Sequence, residues 1–237
     1  MDIKKMLDEG ANLFLPNLSI DIAVIGFEAG TLKVLLLELD SKWMLPGGYI
    51  FKNESIDDAS RRILTERTGL QHYFMKIFQV FGNADRSFPD EMRHILKKLD
   101  IPWHPNYWMC QRYVSTAFYA LVDIERVTPD GGILSQKTAW WNLRDLPVMW
   151  FDHQHIATGA LRKLKEDILI DHHSYNMLPE NFTMPQLHQL QELILEKKID
   201  RSRFQKKMLS LGIFERLPEP KQGVPHRRPF LYKHKDH

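Results

Sequence analysis

The chain has 237 residues, 43% of them hydrophobic, which is enough for one large domain or two ordinary domains with packed cores. Its first residues lack the apolar segment of a signal peptide, and no later apolar run approaches the ~20 residues of a membrane-spanning helix. The single cysteine, Cys110, excludes an internal disulfide framework and a cysteine-based zinc finger. These features predict a cytoplasmic protein that does not contact a membrane.

The formal net charge of +2 conceals an uneven distribution. Residues 1–180 contain 20 Lys and Arg against 24 Asp and Glu, whereas residues 181–237 contain 12 against 6. The pattern is typical of a basic module attached to an acidic body, and it suggests a polyanionic partner for the C-terminal part.

Apolar segments with the character of β-strands recur through the first 142 residues. They lie at 19–27, 32–39, 43–45, 74–81, 113–122 and 138–142. A helix is expected over 153–170. Strands that flank a central helix, followed by a second helix, predict a mixed α/β sandwich.

The central segment, 43–70, carries the strongest local signals. Gly47 and Gly48 predict a backbone turn that ends a strand. Ser55, with Asp58 three residues later, predicts the start of a helix with a side-chain cap. On this helix Ala59, Ile63 and Leu70 should face the core, while Arg62 and Glu66 should be neighbours because they are four residues apart.

The same segment resembles the Nudix box, G-x5-E-x7-R-E-U-x-E-E-x-G-U, and matches seven of its nine fixed positions. The retained residues include Gly48, Glu54, Arg62 and Glu66, and the resemblance implies that Glu54 and Arg62 pair. Ile63 and Arg67 stand where the family places metal-binding glutamates. One carboxylate beside a guanidinium is a poor Mg²⁺ site, so we expect no catalytic residue, no metal and no cofactor.

The irregular segment 82–113 contains a predicted helix over 90–100, which Pro102 ends. Long excursions of this kind are commonly lids or family-specific additions. At its two ends are the residues that we predict to bind a small-molecule effector: Asp85, Arg86 and Arg112. The alternative for each is a surface ion pair.

Two further clusters have a structural and a functional interpretation. Trp103, Tyr107 and Trp108 could stack on a ligand ring, but aromatic residues beside prolines more often anchor a loop in a core. The segment 151–155, FDHQH, contains two histidines but no third clustered metal ligand. We therefore interpret Asp152 as a helix cap and its histidines as facing solvent.

After a predicted boundary at 176–179 the pattern changes to two helices and a basic hairpin. Thr183 caps the first helix, and the second, 200–211, would bury Phe204 and Met208. Strands at 213–217 and 230–233 would form a wing. This order is typical of a winged helix-turn-helix that binds double-stranded DNA, although a solvated basic appendage remains possible. The predicted DNA contacts are Arg203, Lys206, Lys207, Arg227 and Arg228.

Taken whole, the chain resembles the Nudix-related transcriptional regulators of the NrtR family, with a Nudix-like α/β/α sandwich at 1–175 and a winged helix at 176–237. The resemblance implies a homodimer whose non-catalytic Nudix domain senses a pentose or ADP-ribose and alters operator binding. The insertion at 85–112 departs from the family. Two alternatives remain: an active Nudix hydrolase of a nucleoside diphosphate linked to a sugar, requiring Mg²⁺, and a scaffold that binds RNA or protein.

Overall fold

The computed structural model describes residues 3–132, 135, 137–218 and 229–235. Its six helices are α1 (Ile3–Leu13), α2 (Ile56–Thr68), α3 (Pro89–Lys98), α4 (His153–Asp167), α5 (Met184–Leu195) and α6 (Arg201–Ser210). The strands of the larger sheet are β1 (Phe14–Glu28), β2 (Thr31–Leu39), β3 (Lys42–Met44), β4 (Gly47–Phe51), β5 (Phe74–Phe81), β6 (Val114–Leu121) and β7 (Lys137–Asn142). The smaller sheet consists of β8 (Phe182–Thr183), β9 (Phe214–Arg216) and β10 (Leu231–His234).

The larger sheet is mixed, as the sequence predicts. Its strand order is β3-β2-β1-β6-β5, with β4 also pairing with β1 and β7 with β2. The pair β1 and β6 is parallel, whereas its other pairs are antiparallel. The long β1 is therefore the strand around which the domain is organised.

Alternation along β1 gives the sheet two apolar faces. Ile20, Ile22 and Val24 pack against the buried face of α2. Ala23 and Ile25 point the other way, into a cluster that contains α4 and continues into α5 and α6. One continuous hydrophobic core therefore joins the sheet to the C-terminal domain.

The two glycines at the start of β4 are strand residues, so the predicted turn at this point is wrong. Gly47 and Gly48 pair with Asp21 and Ile20 of β1. A Cβ on Gly47 would lie 2.7 Å from the Asp21 carboxylate and from the Ile20 carbonyl oxygen, and one on Gly48 would lie 3.0 Å from Ile63. Glycine is needed here because other groups approach the backbone closely.

The N-terminal helix α1 has no counterpart among the sequence predictions. It packs with the 82–113 segment, and the indole Nε1 of Trp108 donates a hydrogen bond to the Met6 carbonyl, 3.0 Å away. Trp103, Tyr107 and Trp108 are partly buried in this cluster, which confirms their interpretation as loop anchors. The α1 helix and the insertion together form a covering layer on the sheet domain.

The C-terminal domain has the predicted two helices and hairpin. Thr183 and Gln186 form a reciprocal capping box at the start of α5, and Phe204 and Met208 of α6 are buried. The sequence does not reveal β8, a two-residue strand that pairs with β10 and places β10 in the middle of three strands. Among the described residues no helix combines the length and the apolar character needed to cross a bilayer.

Candidate functional site

A cleft of about 540 Å³ opens between the sheet domain and its covering layer. It lies where α2, β4 and the start of α4 meet, and much of its wall is apolar. Its size falls in the range of small-molecule sites, which are mostly apolar with a few placed polar groups.

The polar floor of the cleft is centred on Asp21 of β1. This carboxylate is 6% exposed, and the Ser115 hydroxyl on the neighbouring strand β6 donates a hydrogen bond to it. Arg86 Nη2 and His153 Nε2 each lie 3.7 Å from its oxygens. Sequence reasoning did not single out Asp21, although a carboxylate that interrupts an apolar strand at a core-facing position is a usable signal.

Of the predicted effector residues, Arg86 is the one that lines the cleft. Its guanidinium is 7% exposed and binds both oxygens of Asp152, at 2.7 and 2.9 Å. It also donates to the Tyr113 carbonyl oxygen at 3.2 Å. Asp152 is the N-cap residue of α4, as predicted, but its side chain makes no capping hydrogen bond and binds Arg86 instead.

His153, the first residue of α4, is buried rather than solvent-facing, which corrects the sequence interpretation. Its Nδ1 accepts a hydrogen bond from the Leu45 amide at 2.9 Å. The ring proton of the neutral imidazole therefore sits on Nε2, which faces Asp21. His155 is exposed, as predicted.

Asp85 and Arg112 do not line the cleft. Asp85 is exposed, and Arg112 donates to the carbonyl oxygens of Gly82 and Asn83, at 2.6 and 3.0 Å. The exposed Arg112 thus joins the two ends of the 82–113 segment through hydrogen bonds to backbone carbonyls.

The residual Nudix box forms an ion-pair network on α2. Glu54 accepts two hydrogen bonds from Arg62, at 2.6 and 3.0 Å, and these bonds hold the pKa of Glu54 below its usual value. Arg62 also reaches the Tyr49 carbonyl oxygen and lies 3.4 Å from Glu66. The implied pairing of Glu54 with Arg62 is present.

These residues do not fit a catalytic Mg²⁺ ion. Ile63 is fully buried beneath Gly48, Glu66 already faces Arg62, and Arg67 places a second cation beside it. Across the described ranges no three His, Cys, Asp or Glu side chains converge on a point that could hold a metal. Hard divalent cations require several converging oxygens, and this donor set supplies one partly neutralised carboxylate.

Two tyrosines complete the polar lining of the cleft. Burial raises the pKa of both Tyr49 and Tyr113 above the ordinary value, so their hydroxyls stay protonated at neutral pH. The Tyr113 hydroxyl donates to the Trp108 carbonyl oxygen at 3.2 Å. Apart from its arginines, the cleft thus presents neutral donors around one buried carboxylate.

The candidate nucleic-acid surface is the outer face of α6. Arg203, Lys206 and Lys207 are exposed there, and none forms an ion pair with another described residue. The strands β9 and β10 pair as an antiparallel wing beside this helix. Arg227 and Arg228, predicted at the wing tip, lie outside the described residues.

Comparison with known proteins finds a family match for the C-terminal part of the chain and a relative that spans most of its length. Residues 174–234 match the model of the NrtR DNA-binding winged helix domain. The "ADPR responsive transcriptional repressor NtrR" of Acinetobacter baylyi is 22% identical over 215 residues, which cover 87% of this chain and 77% of the relative.

Two solved structures share the fold across both domains. Shewanella oneidensis NrtR, crystallised with a 27mer DNA, aligns with a TM-score of 0.71 and 22% identity over 92% of this chain and 93% of its own. A MutT/nudix family protein from Enterococcus faecalis aligns with a TM-score of 0.65 and 21% identity over 99% and 94%. Residues 174–234 therefore match an NrtR DNA-binding winged helix domain, and the chain as a whole shares the two-domain fold of these two structures.

Proposed function

We propose that this protein is a ligand-responsive transcriptional regulator that binds a sugar or ADP-ribose-like effector in its Nudix cleft and operator DNA through its winged helix. The observation that carries the proposal is a cleft of ligand size in which the described residues do not bring together the carboxylates of a metal site. The "ADPR responsive" name of the Acinetobacter baylyi relative and the DNA complex of Shewanella oneidensis NrtR support the two binding partners.

The cleft is proposed to bind its effector without hydrolysing it. Hydrolysis of a diphosphate by a Nudix enzyme requires a cation that neutralises charge and activates water. The Glu66 carboxylate forms an ion pair with Arg62 here, and Ile63 contributes no oxygen ligand. The hydrolase alternative would therefore need carboxylates that the described residues do not bring together.

Helix α4 is the proposed connection between the two functions. Its first residue, His153, lies in the floor of the cleft, and near its other end Lys165 pairs with Glu196, the residue that caps α5, at 2.7 Å. Arg144 binds the same carboxylate at 3.0 Å and the Leu193 carbonyl oxygen at 2.6 Å. An effector that moves His153 would shift a rigid rod about 22 Å long whose far end is fixed to the winged helix.

The regulator is proposed to act as a homodimer with two winged helices on two half-sites. A small rotation of each C-terminal domain would then change how well the pair matches the spacing of the operator. The size of the response is limited by the difference in effector affinity between the two dimer geometries. Sedimentation equilibrium at micromolar concentration tests the dimer directly.

Fluorescence anisotropy tests the regulator proposal. The purified protein is titrated into labelled duplexes from upstream of its own gene and its neighbours, with excess nonspecific competitor, before and after addition of ADP-ribose or L-arabinose. We expect binding to one duplex that survives the competitor and shifts at least severalfold with one of the ligands. Equal affinity for all duplexes would contradict the proposal, as would release of nucleoside monophosphate from ADP-ribose that is lost in Glu66→Gln.

A further inference from the structure

Three arginines line the cleft, and they differ in what holds them. Arg62 is bound by Glu54 and Glu66, and Arg86 is bound by Asp152. Arg67, at the end of α2, has no hydrogen bond or ion pair to its guanidinium among the described residues, and its Nε is both buried and unpartnered. Buried polar groups in folded proteins are almost always satisfied, so a buried Nε without a partner, on an arginine that lines a ligand-sized cleft, needs an explanation.

The loop 128–132 holds Arg67 in place through its backbone. The Asp130 amide donates to the Arg67 carbonyl oxygen at 3.0 Å, and the Thr128 amide donates to the Thr68 carbonyl oxygen at 2.9 Å. The guanidinium lies against Gly132, where a Cβ would fall 1.8 Å from Nη1. Gly132 has a φ of +66°, so its lack of a side chain serves both the loop conformation and the space for Arg67.

The two carboxylates nearest to Arg67 are engaged elsewhere. Asp130 accepts a hydrogen bond from the Gly132 amide at 2.7 Å, and Glu66 faces Arg62. Burial lowers the pKa of Arg67 although both carboxylates act to raise it. A guanidinium nevertheless remains charged at every physiological pH, so the positive charge stays in the cleft and is incompletely compensated.

We propose that Arg67 is the anion-binding residue of the cleft and receives a phosphate group of the effector, in the place where Nudix enzymes hold a metal ion. The effector class is then a phosphate ester of a sugar, free or within a sugar nucleotide. Its hydroxyls would face Asp21 and the Nε2 proton of His153, and its phosphate would face Arg67. This inference rests on the proposed function of the cleft as an effector site.

The exchange of a glutamate for an arginine suits this role. A metal ion bridges carboxylates to phosphate oxygens, whereas a guanidinium contacts a phosphate directly through paired N–H donors. Phosphate binding in this cleft should therefore be independent of divalent cations.

Isothermal titration calorimetry of the full-length protein with ADP-ribose, ribose 5-phosphate and the uncharged D-ribose, each with EDTA, tests the proposal. We expect the wild-type protein to bind at least one phosphorylated probe in EDTA. Arg67→Gln should bind that probe about tenfold to a hundredfold more weakly, because charge-assisted hydrogen bonds are lost. Its affinity for D-ribose should not change.

Arg61→Gln is the matched control, since Arg61 is an exposed arginine on the same helix and does not line the cleft. It should bind every probe as the wild type does. Circular dichroism of both variants separates lost binding from lost folding. Should Arg67→Gln fail to fold, Arg67→Lys, which keeps the charge but not the paired donors, should still weaken phosphate binding severalfold.

Three outcomes would overturn the proposal: unchanged affinity of Arg67→Gln for the phosphorylated probes, abolition of wild-type binding by EDTA, or no wild-type binding of either phosphorylated probe. None of these outcomes contradicts operator binding, which the anisotropy experiment tests separately. If the wild-type protein recognises its operator and responds to an uncharged pentose, the proposed regulator function stands and the proposed role of Arg67 is wrong.

Discussion

The cleft and the outer face of α6 both concentrate basic side chains, but in opposite environments. In the cleft, Arg86 is 7% exposed and holds a bidentate pair with Asp152, and Arg62 is held by Glu54. On α6 the cations Lys206 and Lys207 are exposed and form no ion pair with any other described residue.

The difference follows from the cost of removing charge from water. Burying a guanidinium is costly unless a fixed acceptor matches it, so Arg62 and Arg86 are held by carboxylates, and breaking one of these pairs leaves the partner's charge uncompensated. An exposed ammonium keeps its hydration and remains available to a polyanion, so the α6 lysines contribute affinity that salt can screen. Four variants, taken from the largest expected effect to the smallest, test this contrast and the elements beside it.

The substitution with the largest expected effect on stability is Arg86→Ala. Removing this guanidinium leaves the buried Asp21 and the partly buried Asp152 without the cation that they share, and we expect a loss of about 3–5 kcal/mol in the free energy of unfolding. Urea denaturation followed by tryptophan fluorescence measures it. Arg112→Ala, which removes an exposed arginine bound to backbone carbonyls, should cost far less. Similar losses in the two variants would mean that burial does not distinguish these sites.

The double substitution Lys206→Ala with Lys207→Ala should leave folding intact and weaken DNA binding to every duplex. Each lost phosphate contact reduces the slope of log affinity against log salt by about 0.9, so the slope should become less steep by about 2 for each winged helix, or about 4 for a dimer on two half-sites. Anisotropy titrations at several salt concentrations measure the slope. Lys52→Ala with Lys97→Ala, two exposed lysines of the Nudix-fold domain, is the control. An unchanged slope in the α6 variant would remove this helix from the DNA interface.

Thr183→Ala should destabilise the winged helix domain without altering the cleft arginines or the basic residues of α6. Thr183 accepts from the Gln186 amide at 3.3 Å, and its own amide donates to the Gln186 side chain at 2.7 Å. Loss of such a cap costs about 1 kcal/mol. Thermal unfolding measures the change, with Thr158→Ala on the exposed side of α4 as the control. If both threonines prove equivalent, the capping box makes no contribution of its own.

The smallest expected effect concerns pH at the junction of the domains. Burial lowers the pKa of His173, whose ring stacks on Phe74 with Asp171, Lys76 and His234 nearby. The unfolded chain therefore binds a proton more readily than the folded one, so stability is present above the ordinary value of about 6.5 and falls as pH drops below it. His173→Phe retains a stacking ring and should flatten the stability profile below about pH 6.5. A profile as steep as that of the wild type would assign the pH dependence to other groups.

Much of the architecture was readable from the sequence because it depends on local patterns. Alternation along β1, β2 and β5 predicts strands wherever it persists, and Ser55 and Thr183 mark helix starts through hydrogen bonds made within three residues. The spacing of Glu54, Arg62 and Glu66 likewise predicts neighbours on and beside one helix. The same spacing shows that Ile63 and Arg67 stand where the Nudix box has glutamates.

The composition of the cleft was decided by tertiary structure. Asp21, Arg86 and the adjacent pair Asp152 and His153 come from three separate parts of the chain, and they meet because β1 pairs with both β4 and β6 while α4 begins beside them. No local pattern shows that Asp152 binds Arg86 rather than capping its helix, or that His153 turns inward. Sequence determined the elements and the exposed basic face of α6, because local hydrogen bonding and amphipathicity act over a few residues. Which charges are buried together, and which arginine is left unpaired, depends on contacts between residues that are distant in the sequence.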